Sequence, residues 1–290
     1  MTRRLPPLFL AVLLYPGAGG QRVAAQSARP AAAAEHYSLA GSGTWHAKLP
    51  KVLDEVSGLA FAPDNTLLAH GDERAVLWHF DLAGRRASER FALGNGRTVL
   101  RDDFEDVAVA GDRLFLTTGT GMIYEGRVAP AGQTGRAVRR TRGLGQGCEV
   151  EGMTYDPETR SLLLLCKHAR TRRWKNQVII LAVSVDTWRF EPRPRALVSE
   201  RDIERATGTR RFHGSGMARH PRTGTLLLVA GPERTYLELA PTGAVLGGGR
   251  LNRDRHRQPE GIAVAPDLTV LIADEAAGHR ASITAYAYRP

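Results

Sequence analysis

One phrase, repeated along the chain, limits what it can fold into. Residues Cys148–Pro157 read C-E-V-E-G-M-T-Y-D-P: the start of a strand, a turn at Asp156-Pro157, then a second apolar run over Ser161–Cys166. Altered copies begin at Glu55, Asp103, His213 and Gln258, and each leads through a turn to its own second run, as Glu55–Ala60 leads through Ala62-Pro63-Asp64 to Thr66–His70. Aligned on the small residue at Gly58, Asp106, Gly152, Gly216 and Gly261, the five copies stand 48, 46, 64 and 45 residues apart. Short strands recurring at a period of this size are the signature of a β-propeller blade.

The expected fold is therefore all-β, a five-bladed β-propeller closed by an N-terminal outer strand. The strands that follow each phrase are short, rich in branched or apolar residues and bounded by Gly, Pro, Asp or Asn. Blade five ends one strand short after Ser282–Tyr288. A lone strand at Gly43–Lys48 supplies the missing one, which joins the chain ends and removes open sheet edges. The fourth strand of blade two is placed at Ala137–Thr141. The third repeat is the long one, with its extra length in His168–Asn176 and Ser199–Arg211, where Glu200–Ala206 reads as a short helix. A sixth blade hidden in that repeat is the rival architecture. Residues 43–290 are read as a single domain, and a hydrophobic content of 42% leaves enough apolar residues to bury a core.

In a propeller the same position of every blade faces one axis. One column of the repeat reads Ser57, Glu105, Glu151, Ser215, Glu260; two residues upstream the column reads Glu55, Asp103, Glu149, His213, Gln258. These columns predict two rings of oxygen-rich side chains around one channel. Crowded carboxylates raise one another's pKa unless a cation neutralises them. An oxygen-only set suits a hard divalent cation, so calcium is the expected cofactor, held by Glu105, Glu151 and Glu260 with Glu55, Asp103 and Glu149 as a second ring. The structural alternative is that these carboxylates cap strand starts or bond backbone N–H groups of adjacent blades.

Further polar residues follow the second strands. Asp72, Lys167, His168 and Asp274 are candidate substrate contacts at a channel mouth, against the plainer reading of solvated turn residues. His213 is the candidate general base or nitrogen ligand; a lone histidine is otherwise hydrogen-bonded structure. His213-Gly214-Ser215-Gly216 lacks the glycine two residues before the serine that a nucleophile elbow needs. Gly143-Leu144-Gly145-Gln146-Gly147 has no strand–helix context for a dinucleotide site. No basic helix or zinc-finger spacing is present, and nucleic-acid binding is not expected.

Met1–Ala25 reads as a secretory signal, with Arg3-Arg4, an apolar run at Leu8–Leu14 and a cleavage site near Val23-Ala24-Ala25. The run is too short to span a membrane. Residues 26–42 are Ala-rich and read as a flexible lead-in. The chain is therefore expected in the periplasm or the medium, as a monomer. In such a compartment Cys148 and Cys166 form a disulfide or stay as two buried thiols; a turn near Asp156–Arg160 brings them nearly opposite, which favours the bond. The net charge of +10 comes from arginine. It attracts anionic envelope polymers or simply decorates a solvated surface; Arg170-Thr171-Arg172-Arg173-Trp174-Lys175 is the nearest thing to a patch.

The E-x-[SE]-G-[LIM]-[AT] phrase, as in Glu55–Ala60 and Glu149–Thr154, with its Pro-Asp turn and second strand, resembles the SdiA-regulated family of bacterial proteins. NHL-type and phytase-like propellers use similar phrases. The resemblance covers about residues 45–290 and implies a five-bladed propeller, an exported location and a calcium site, with no established reaction. Asp106 in place of the repeat glycine, and Ser57 and Ser215 in place of Glu, depart from the pattern. Two functional readings follow: a calcium-binding module that meets a small-molecule or protein ligand at its channel mouth, or a metal-dependent hydrolase of a phosphoester, ester or lactone.

Overall fold

The computed structural model describes residues 31–144, 147–169 and 171–290. The signal expected at Met1–Ala25 and the start of the lead-in lie outside them, as do Gly145, Gln146 and Arg170 of the two loops singled out above.

The chain enters through β1 (Trp45–Lys48) and then builds blade one from β2 (Val56–Phe61), β3 (Leu67–Gly71), β4 (Val76–Asp81) and β5 (Arg86–Gly94). Blade two has β6 (Phe104–Ala110), β7 (Arg113–Thr118) and β8 (Ile123–Arg127), followed by β9 (Gln133–Arg136) and β10 (Val138–Arg139). Blade three is β11 (Cys148–Asp156), β12 (Ser161–Ala169), β13 (Val178–Ser184) and β14 (Ala196–Val198). After helix α1 (Glu200–Thr207) comes blade four: β15 (Gly214–Arg219), β16 (Leu226–Ala230), β17 (Thr235–Leu239) and β18 (Val245–Arg250). Blade five is β19 (Pro259–Val264), β20 (Val270–Asp274) and β21 (Ser282–Tyr286).

Five separate sheets result, with β2, β6, β11, β15 and β19 innermost. Each inner strand touches the next, and β19 touches β2, so the ring is closed. Blade five has the order β1-β21-β20-β19, with Trp45 opposite Ala285 and Lys48 opposite Ser282. The first strand of the chain thus completes the last blade, as the strand count required. Among the described residues the long third repeat holds no sixth blade. Its extra residues lengthen β11 and β12 and form α1, where the Ser199 side chain accepts the Asp202 N–H at 3.2 Å and Gly208 closes the helix at φ 73°.

The core lies between blades rather than in one central mass. Leu163, Leu165 and Ile180 of blade three pack with Met217 and Leu228 of blade four, and Leu68 and Leu77 of blade one pack with Val107 and Leu116 of blade two. In a chain with a single α-helix among its described residues, sheets apolar on both faces bury them against the neighbouring blades.

One expectation needs correction, that of a flexible lead-in, and one strand is new. The fourth strand of blade two, placed at Ala137–Thr141, is the two-residue β10. β9 leaves that blade and pairs parallel with β5, from Phe91↔Gln133 to Gly94↔Arg136, before β10 returns to β8. The nine-residue β5 would otherwise present an open edge. The hydrogen bonds Gly132 N–H to Arg90 O (2.8 Å) and Ala137 N–H to Gly94 O (2.7 Å) hold the covering strand at both ends.

The lead-in, from Ala33 onward, is packed. Ala33, Ala34, Tyr37 and Leu39 are buried against Leu227, Val229 and Ile272 at the seam of blades four and five. The fully buried Glu238 accepts the N–H groups of Ala33 at 2.6 Å and Ala34 at 2.8 Å, and the Tyr37 hydroxyl donates to Leu268 O at 2.7 Å.

Candidate functional site

Each inner strand changes register at the same place, and the residue at the break is the ring residue. The shifts lie between Val56 and Gly58, Phe104 and Asp106, Val150 and Gly152, Gly214 and Gly216, and Pro259 and Gly261. Ser57, Glu105, Glu151, Ser215 and Glu260 are therefore the extra residues of five equivalent β-bulges. A bulge leaves one residue out of the ladder and re-aims its side chain. This is how one sequence column becomes one ring.

The small residue after each bulge lets neighbouring inner strands approach. A Cβ on Gly216 would stand 2.1 Å from the Glu260 carbonyl oxygen. A Cβ on Gly58 would stand 2.5 Å from both Asp106 Oδ1 and His70 Nε2. Asp106, the departure from the glycine pattern, uses that space. Its buried carboxylate accepts the N–H of Val107 at 2.8 Å and of Met153, in the next blade, at 2.6 Å.

The channel is polar at one end and apolar at the other. The apolar end, about 260 Å³, is lined by Leu59, Phe61, Met153, Met217 and Ile262 among others. The polar mouth is a cavity of about 180 Å³ lined by Glu105, Glu151 and Glu260, by Glu55, Asp72, Asp103 and Glu275, and by Ser57, Gln258 and Lys167. Among the described residues Lys167 is the single basic side chain in that lining; its Nζ lies 3.1 Å from Glu151 Oε1.

This electrostatic balance leaves protons on the ring. Burial first, and then the charges of Glu151 and Asp103, push Glu105 up to about 9. Burial and then Glu151 push Glu260 up to about 8. Burial also raises Glu151, although Lys167 pulls the other way. At the rim Glu55 is raised by the neighbouring Asp72, and Glu275 by burial and then Asp72. Burial works against the Lys167 ammonium, but Glu151, Glu260 and Glu149 outweigh it and hold it charged. Among the described residues no group of three or more His, Cys, Asp or Glu side chains is arranged to hold a metal ion. The donor chemistry fits a hard cation; the ring as placed is closed by Lys167 instead.

The two serines of the ring serve the frame. Ser215, only 2% exposed, donates from Oγ to the Pro259 carbonyl at 2.5 Å and stitches blade four to blade five. Ser57 donates to the Glu55 carbonyl at 3.3 Å.

The second column divides. Glu55, Asp103 and Gln258 reach the mouth, whereas Glu149 stands opposite His168 on β12 and His213 lines a neighbouring cavity. Of the four candidate contacts, Asp72 and Lys167 line the mouth and His168 lies beside His213, ring centroids 4.7 Å apart. Asp274 is 2% exposed; its carboxylate is bonded to the fully buried His256 at 2.8 Å and accepts the Gln258 N–H at 3.2 Å, so it is committed to the frame of blade five.

Two residues that the column argument passed over matter here. Glu275 lines the mouth and accepts a hydrogen bond from the Gln258 amide. Glu233 accepts from His213 Nδ1 at 2.6 Å and from its backbone N–H at 2.9 Å. Both directly follow a second strand or its turn, in the polar series where Asp72 and Lys167 also lie. Cys148 and Cys166 form a disulfide, with Cα atoms 5.7 Å apart, immediately before Lys167 and His168.

No protein-family model matches the chain, and no curated protein matches it in sequence. Solved structures do. Glutaminyl cyclase from Myxococcus xanthus is similar at a TM-score of 0.58 and 13% identity, over 84% of this chain and 94% of that one. The PQQ-bound aldose sugar dehydrogenase from Streptomyces coelicolor is similar at 0.54 and 13% identity, over 85% and 99%. A luciferin-regenerating enzyme is similar at 0.50 and 8% identity, over 83% and 92%. At such identities the likeness establishes the propeller fold alone.

Proposed function

We propose that this propeller is an exported binding module whose acidic channel mouth takes a divalent cation, with calcium as the ion, and that its ligand meets it there. The carrying observation is the ring of bulges: Glu105, Glu151 and Glu260 line one mouth, with Lys167 as the one basic side chain among the described residues of that lining. Protons held on Glu105 and Glu260 near neutral pH mark carboxylates that lack a counter-charge, which a bound cation would supply. Oxygen donors without a His–Cys cluster favour calcium over zinc. Glu105, Glu151 and Glu260 would hold the ion, with Glu55 and Asp103 at the rim. The Cys148–Cys166 disulfide supports export to the periplasm or the medium. Among the described residues no helix is long and apolar enough to cross a membrane. The SdiA-regulated resemblance belongs to the same reading.

Calorimetric titration of the metal-free protein with calcium tests it, beside the Glu105→Gln/Glu151→Gln/Glu260→Gln variant. Saturable heat in the parent that is lost in the variant is expected. Absence of heat with calcium, magnesium and manganese, from protein shown to be folded, would sink the cation site.

One observation favours the second reading, a metal-dependent hydrolase. The Glu233 carboxylate fixes the His213 ring through Nδ1, the arrangement that orients a general base. Turnover of phosphoester, ester and lactone substrates, lost in His213→Gln and in the triple variant alike, is its signature; no turnover of any of the three rejects it.

A further inference from the structure

Beside the acidic mouth lies a cavity of about 300 Å³ with the opposite character. Its polar walls are Lys167 and His168 from the end of β12, Lys175 from the loop that follows, and Arg210, Arg211 and His213 from the segment between α1 and β15. Among the described residues no carboxylate lines it. The floor is apolar: Ile203 of α1 and Phe212 are both buried in the core between blades three and four.

The walls are built rather than loose. Phe212 anchors the segment between two basic residues, and the Thr209 hydroxyl donates to Arg211 O at 3.0 Å. Glu233 lies behind His213, outside the lining, and accepts from it twice. A carboxylate accepts only, so Nδ1 carries the hydrogen and Nε2 is the nitrogen that serves a ligand. Two of the cations are already engaged, Lys167 with Glu151 at 3.1 Å and Arg210 with Glu204 at 3.3 Å. Lys175 and Arg211 make no ion pair among the described residues. The cavity therefore carries uncompensated positive charge together with two imidazoles. The acidic groups beside it are Glu233 behind His213, Glu149 across the strand pair from His168, Glu151 on Lys167 and Glu204 on Arg210.

We propose that this cavity is an anion site, one that seats the terminal oxyanion of a small ligand, phosphoryl or carboxylate. Lys175 and Arg211 supply the charge, and His213, oriented by Glu233 through Nδ1, donates from Nε2 when the ring carries both hydrogens, as His⁺ does. The site is separate from the cation site at the mouth, and Lys167 lines both. Its polarity also differs from that of the channel, so a ligand that spans the two would present a cationic group to one and an anionic group to the other.

Histidine ring resonances of the metal-free, disulfide-intact full chain are followed by NMR during separate titrations with inorganic phosphate and with acetate, against sodium chloride at matched ionic strength. A saturable shift of His213 and His168, absent with chloride, is expected. Saturation with phosphate identifies a phosphoryl site and saturation with acetate a carboxylate site. The Lys175→Ala/Arg211→Ala variant, altered only at exposed side chains, is expected to bind about tenfold more weakly, a change of about 1.4 kcal/mol. Shifts that stay linear with both anions, or that chloride reproduces, overturn the proposal, as does unchanged affinity in the variant.

Discussion

Lys167 Nζ stands 3.1 Å from Glu151 Oε1, and this contact forms the partition between an acidic cavity and a basic one. The pair is partly buried, with Lys167 26% and Glu151 10% exposed at the side chain. Removing the lysine leaves Glu151 without its partner in a site where burial already raises its pKa. Lys167→Gln is therefore expected to lower the stability of the metal-free protein by roughly 1–3 kcal/mol, a figure discounted for the lysine's exposure. The same change removes the internal competitor for a cation, so calcium affinity is expected to rise about tenfold. Denaturant unfolding and calorimetry on one preparation read both effects. A variant that is less stable and binds calcium no better would assign Lys167 to the frame alone.

The ring makes stability depend on pH in a direction opposite to that of ordinary salt-bridged carboxylates. Glu105 and Glu260 ordinarily titrate at 4.5 and are pushed up to about 9 and about 8 by burial and by their neighbours. Between those limits the folded state holds protons that the unfolded chain has released. The stabilising contribution is complete below the ordinary value and is lost as pH rises through the folded ones. The thermal midpoint of metal-free protein is thus expected to fall from about pH 5 to about pH 9, and to fall less in Glu105→Gln/Glu260→Gln. Buried Asp106, whose pKa is also raised, adds to the slope in both proteins. Calcium should reverse the trend and release protons as it binds, measurable as buffer-dependent heat.

The disulfide has a position as well as a stabilising effect. Cys148 and Cys166 close a loop of sequence separation 18 across the two strands whose ends carry Glu149, Lys167 and His168. A loop of that size implies a contribution of about 3 kcal/mol to folding. Reduction is expected to lower the unfolding midpoint accordingly, and to weaken ligand binding at both cavities before the fold is lost. Hydrogen exchange at the β11–β12 end supplies the check: protection there should drop first.

Much of this was legible in the sequence. The repeat phrase carries the inner strand and the turn of every blade, so blade number, closure through Trp45–Lys48 and the ring column Ser57, Glu105, Glu151, Ser215, Glu260 could all be read from spacing. The bulge was hidden, because an unpaired residue looks in sequence like any other strand residue. So was β9, whose partner Phe91–Gly94 lies in another blade and leaves no periodic trace. Glu233 and Glu275 escaped the column argument because loops, not strands, place them. Asp274 misled for the reverse reason: a strand-end carboxylate reads as exposed, and only His256, some way along the chain, shows that it is buried. The lead-in also read as flexible, since two backbone N–H groups bound to Glu238 have no sequence signal.

That docking gives a prediction of its own. Glu238→Ala leaves the N–H groups of Ala33 and Ala34 without their buried acceptor and opens a hole at the blade four–five seam. A loss of roughly 2–4 kcal/mol is expected from the orphaned donors and the cavity together. Limited proteolysis should then cut within residues 31–42 while the blades stay intact; resistance equal to the parent would show that Tyr37 and Leu39 suffice.

The exchange of glycine for Asp106 in blade two is the sharpest test of how the inner ring is packed. Restoring the repeat by Asp106→Gly looks conservative from sequence, yet it removes the acceptor of the Met153 and Val107 N–H groups at a blade seam. A loss of roughly 1–3 kcal/mol is expected. Gly58→Ala fails for the complementary reason, since its Cβ would press to 2.5 Å on Asp106 Oδ1 and His70 Nε2. Combining the two substitutions removes the clash with Asp106 Oδ1, while the contacts with His70 Nε2 and, at 2.9 Å, with the residue 106 Cα remain. The double variant should therefore be more stable than the sum of the single losses predicts, by about 0.5–3 kcal/mol of coupling. Strict additivity would mean that Gly58 and Asp106 do not share one space, and that the departure from the repeat has another cause.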